Sequence, residues 1–137
     1  MIYEFDCGIY PRRLWITYDA TIDELNRVFP EGVDNVEKFE ELDECTTAEV
    51  CGVRRISPEI KAGTLIRFAS KDEMSTPTIT HESAHVALRW FSYCGCRTDT
   101  GDTEPFAYLI EWIAKCCVAV LEGTAKNIIS NEGRGED

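Results

Sequence analysis

TPTITHESAHVALRWF, residues 76–91, is the stretch on which the fold turns. Thr76-Pro77 suits an N-cap and first turn, and no later proline interrupts the run. Ile79, Ser83, Val86, Ala87 and Trp90 then recur at helical spacing, so the segment predicts a helix to about Phe91 with one apolar face. Ser92 to Gly101 carries two glycines and predicts a loop. Thr103 with Pro105 in the first turn opens a second helix to about Gly123. Its apolar stripe is Phe106, Leu109, Ile110, Ile113, Cys117, Val120 and Leu121. The opposite stripe holds Glu104, Tyr108, Glu111, Lys115 and Glu122.

Upstream the pattern changes. Ile2 to Tyr18 is rich in β-formers, with Pro11 marking a break or an edge. Thr21 followed by Glu24 has capping-box spacing, and Ile22, Leu25 and Val28 continue a short helix towards Pro30. Residues 31–45 are acidic and predict a surface loop with at most a short helix. Thr46 to Ser57 and Gly63 to Ala69 predict two strands, joined through the Pro58 region as a hairpin. Strands first and helices last imply an α+β domain: a small antiparallel sheet packed on two long helices.

The chain's 137 residues fit one domain. Residues 1–130 are expected to form it, and 131–137 an acidic flexible tail. A net charge of -11, with basic residues clustered only as the pairs Arg12-Arg13 and Arg54-Arg55, argues against a nucleic-acid partner. No apolar run reaches the ~20 residues of a membrane span. Nothing in MIYEFDCGIYPRRLW resembles an export leader, and the seven cysteines follow no framework spacing, so reduced thiols and a cytoplasmic location are expected. Cys94, Cys96, Cys116 and Cys117 read as small core thiols, because C-x-C followed by adjacent cysteines does not converge on one ion.

His81-Glu82-Ser83-Ala84-His85 is an HExxH sequence. Residues four apart on a helix lie one above the other, so both imidazoles can reach one zinc ion. Glu82 is then placed to hold a water and take its proton. The bland alternative is a solvated pair of helix histidines. Against it, these are the chain's only two histidines, and they bracket the glutamate at this spacing. Catalytic zinc takes three protein ligands. Asp99, Asp102, Glu104 and Glu111 are the downstream candidates, and Glu104 is preferred, on the expectation that the second helix folds its first turns back towards the motif. Glu104 and Glu111 lie roughly 10 Å apart along their helix and cannot both bind one ion.

ITHESAHVALRW together with DTEPFAYLIEWI resembles the Glu-zincin pattern, in which HExxH is followed on a second helix by a metal-binding glutamate. The spacing is similar to that of thermolysin-like peptidases. The Glu104-x-x-Ala107 run also resembles the metallopeptidases that cleave phage repressors. IYPRRLWITY, THESAH and EPFAYLIEWI in this order resemble a family of small phage and prophage proteins. The resemblance implies zinc held by His81, His85 and Glu104, with Glu82 as catalytic base in hydrolysis of a peptide or protein substrate. Tyr108, one turn beyond Glu104, would then support the oxyanion. The Gly63 to Ala69 strand is a candidate edge for an extended peptide. A zinc-binding interaction or regulatory protein is the alternative, and the oligomeric state is left open.

Overall fold

The computed structural model describes residues 1–129, so the expected tail at 131–137 lies outside the described residues. In chain order the elements are β1 (Tyr3–Asp6), β2 (Arg13–Thr17), α1 (Ile22–Val28), β3 (Ala48–Arg55), β4 (Lys61–Phe68), a single 3-10 turn (Lys71–Glu73), α2 (Thr76–Cys94) and α3 (Glu104–Glu122). The four strands form one sheet in the order β1-β2-β4-β3, and with the helices this makes an α+β fold. The β3–β4 hairpin is antiparallel from Ala48↔Phe68 to Arg55↔Lys61, and β1–β2 is antiparallel as well. The central pairing differs from the expected antiparallel sheet: β2 runs parallel to β4, from Arg13↔Gly63 to Thr17↔Arg67. A Cβ added to Gly63 would sit 1.9 Å from the Arg13 carbonyl oxygen, so only glycine lets β2 start there.

Side chains alternate across the sheet. Leu14, Ile16, Ile66 and Phe68 face α2 and α3, where they meet Val86, Trp90, Ile113, Cys117 and Val120. Trp15, Leu65, Cys51 and Val53 face the other way, onto Leu25 and Phe29 from α1 and its end, with Phe39 and Ile129. Both sheet faces are therefore covered. The acidic segment 31–45 is not purely a solvated loop, because it delivers Phe39 to this second core at 4 % exposure. Arg67, buried beneath it, donates to Glu40 O at 3.1 Å and to Glu49 Oε1 at 2.8 Å.

Local chemistry sets the helix ends. The Thr21–Glu24 capping box forms at α1. At α2 the cap is Ser75, one residue earlier than expected, whose Oγ accepts from the Thr78 N–H, and Pro77 sits in the first turn. The helix continues one turn past Phe91 and stops at Gly95, with φ 71° in the left-handed region. After the loop, α3 returns antiparallel to α2: Phe91 packs edge-on to Phe106 at 5.2 Å between ring centroids, and Trp90 meets Trp112 at 5.9 Å. The Trp90 indole also donates to Thr64 Oγ1 at 3.0 Å, tying α2 to β4.

Candidate metal centre

Both histidines project from the second and third turns of α2. Their rings lie at 73° to each other with centroids 4.8 Å apart, and the two Nε2 atoms approach to 3.1 Å. Two zinc–nitrogen bonds of the usual length, at a tetrahedral angle, separate the nitrogens by about 3.3 Å. The Nε2–Nε2 contact, a hydrogen bond between the two rings, is thus close to the spacing of two nitrogens on one ion. The His81 side chain is 67 % exposed, and His85 is exposed as well.

Successive helix residues are rotated by about 100°. By that measure Arg89 lies about 60° to one side of the histidine pair and Phe91 about 100° to the other. Arg89 marks the β3 side, reaching Val50 O at 3.4 Å and Asp34 Oδ1 at 3.9 Å. Phe91 marks the α3 side. The pair consequently looks outward between these directions, and not across at α3.

Glu82 has a different setting. It is buried, yet its Oε1 is 4.0 Å from His81 Nε2. Burial raises its carboxyl pKa above the ordinary value; His81 and His85 pull it down, and Glu49 pushes it up. Ser83 beside it is fully buried, and its hydroxyl has no hydrogen-bond partner among the described residues.

The other expected site residues do not join this group. Glu104 is the exposed first residue of α3 and lies by the far end of α2. From His85 to the Phe91–Phe106 contact is roughly 9 Å along the helix, and Glu104 lies a further ~3 Å beyond it. The expectation that the first turns of α3 fold over the motif fails because α2 runs on to Cys94. The turn comes too late, and the motif lies by the C-terminal half of α3 instead, where burial first, then Cys116 and Glu82, raise the pKa of Cys117. Asp99 and Asp102 are tied into the loop: Asp99 Oδ1 accepts from Gly101 N–H at 2.8 Å, and Asp102 N–H donates to Asp99 O at 3.2 Å. Glu111 is exposed on the outer stripe, 3.9 Å from Lys115 Nζ. Tyr108 is 64 % exposed and lines an apolar cleft of about 330 Å³ with Cys7, Ile9, Tyr10, Pro105, Leu109 and Trp112. That cleft adjoins the β1–β2 connection, on the opposite flank of the helical layer from Arg89 and β3. Among the described residues, no group of three or more His, Cys, Asp or Glu is arranged to hold a metal ion.

Two further expectations need correction. β4 is flanked by β2 and β3, so its backbone groups are already paired and it offers no edge to a peptide; β3 is the outer strand on that side. The thiols divide: Cys116 and Cys117 are buried, with pKa values pushed up to about 12 by burial, whereas Cys96 is exposed and Cys94 partly so.

No protein-family model, curated protein or solved structure matches this chain. No helix among the described residues is long and apolar enough to cross a membrane.

Proposed function

We propose that this chain is a zinc-binding protein whose ion is held by His81 and His85, acting in the cytoplasm as an interaction or regulatory module. The observation that carries this reading is the 3.1 Å approach of the two Nε2 atoms from an exposed helix face. Two imidazoles at tetrahedral bite distance are a favourable arrangement for a shared borderline-soft cation. The donor set fits zinc in part: the histidine pair is suited to it, and the expected Glu104 is too far along the helices to take part. The seven free cysteines accord with a reducing compartment.

Glu82 supports a second reading, a zinc-dependent hydrolase acting on a peptide or protein. Its carboxylate sits next to a ligand nitrogen, and burial shifts its proton affinity towards that of a general base at neutral pH. Bound zinc would supply Lewis acidity, and Glu82 would accept and return a proton at its carboxylate oxygen. The missing third ligand and the covered position of Glu82 place this reading behind the first.

Elemental analysis of purified wild-type, His81→Ala and His85→Ala proteins tests the primary reading. Bound zinc is expected in the wild type and in neither variant. A wild-type chain that takes up no zinc from a supplied excess refutes it. Peptide cleavage by the wild type, lost in a zinc-replete Glu82→Gln variant, would promote the hydrolase.

A further inference from the structure

We infer that the zinc site is completed by a second copy of this chain, whose own His81 and His85 supply the remaining two ligands. The inference rests on the zinc-binding reading above and addresses what that reading leaves open. Zinc in a closed site takes four protein ligands in a tetrahedron. One chain offers two, 3.1 Å apart; the only carboxylate shown beside them, that of buried Glu82, stays 4.0 Å from His81 Nε2, and no group of three or more His, Cys, Asp or Glu is arranged to hold an ion among the described residues. No other histidine exists in the chain. An identical outward-facing pair is available only on another molecule, and a two-fold axis through the ion brings it into place. Such an isologous contact closes on itself and leaves no unpaired ligand.

The surface around the pair is suited to this approach. Thr78, His81, His85, Leu88 and Ser92 form one stripe along α2, and none of them carries a carboxylate. In a chain with 25 acidic and 14 basic residues, this stripe puts no carboxylate of its own opposite its copy; of the carboxylates beside it, Glu82 is buried and Asp34 lies 3.9 Å from Arg89. Leu88, one turn after His85 and 49 % exposed, adds apolar area that a partner helix would cover. The solvent-facing direction of the pair leaves room for a second helix to cross. A ligand from α3 would have to reach a quarter turn around α2.

Zinc titration of the intact chain, followed by sedimentation velocity and by metal analysis of the separated species, tests the arrangement. The expected result is a doubling of mass on zinc addition, with one zinc per two chains, reversed by a chelator. His81→Ala and His85→Ala should stay monomeric at the same zinc concentration. Leu88→Glu keeps all the ligands but puts a carboxylate in the seam, and should weaken zinc-dependent association by about tenfold or more. One zinc per chain in a species that stays monomeric overturns the inference and leaves the zinc-binding reading standing. No zinc uptake by the wild type overturns both.

Discussion

The two ends of the α2–α3 hairpin carry opposite halves of the site that the sequence suggests. At one end, His81, Glu82 and His85 sit in the early turns of α2, and the nearest part of α3 is its apolar C-terminal half around Cys117. At the other, Glu104 and Tyr108 occupy the first turns of α3, beside the last turn of α2 and the aromatic contact Phe91–Phe106. The motif end has the histidine pair without Glu104, and the turn end has Glu104 without the histidines. In an antiparallel hairpin, residues meet when they are equally distant from the turn. Extending α2 to Cys94 moves the turn away from the histidines and takes Glu104 with it. Ligand partnership thus depends on where a helix stops as much as on which residues it contains.

The sharpest way to break this comparison is to remove ligands from each end. His81→Ala or His85→Ala should abolish zinc uptake by elemental analysis. Because both side chains are exposed, the metal-free variants should unfold within about 0.5 kcal/mol of the metal-free wild type. Thiol labelling contrasts the ends next. Exposed Cys96 at the turn end should react with a disulfide reagent in the native state. Cys116 and Cys117, with pKa values near 12, should lag an ordinary thiol by roughly a thousandfold at pH 8 until the protein unfolds. A native Cys117 that labels as fast as Cys96 would mean that the motif end is not packed against α3. Trp90→Ala probes the shared core by removing the Trp112 contact and the hydrogen bond to Thr64. It should cost about 3–5 kcal/mol in denaturant unfolding. Glu104→Ala should do least: unchanged zinc content and a stability change within about 0.5 kcal/mol. Loss of zinc in that variant would overturn the assignment of Glu104 to the turn end.

What the sequence made legible was local. The Thr21–Glu24 box, Pro77, Pro105 and Gly123 mark helix ends through local chemistry within a few residues, and the structure has helices bounded there; the end of α2 at Gly95 was placed a turn too early. The β3–β4 hairpin was legible because its two strands are neighbours in the chain. The parallel partner of β2 was not, since nothing in RLWIT specifies which distant strand it joins. Phe39 was hidden by its acidic neighbours, although one aromatic residue sufficed to draw that segment onto the sheet. The histidine pair was readable from i,i+4 spacing alone. The distance of Glu104 from that pair was not, because the rotation of α2 and the register of α3 against it are set by packing among Trp90, Phe91, Phe106 and Trp112.

The β2–β4 pairing bears on how fast this chain reaches its native state. Arg13 and Gly63 are register partners in the parallel ladder although about fifty residues of α1, loop and β3 separate them. Closing that span costs conformational entropy before the central strands return any stabilisation, which slows folding relative to a helical bundle of equal size. The β3–β4 hairpin and the α2–α3 pair, each local, can form early and offer β4 as the template on which β2 later docks. The N-terminal strands are therefore the last pieces expected to lock, and conservative substitutions in β2, such as Ile16→Val, should accelerate unfolding more than they retard folding.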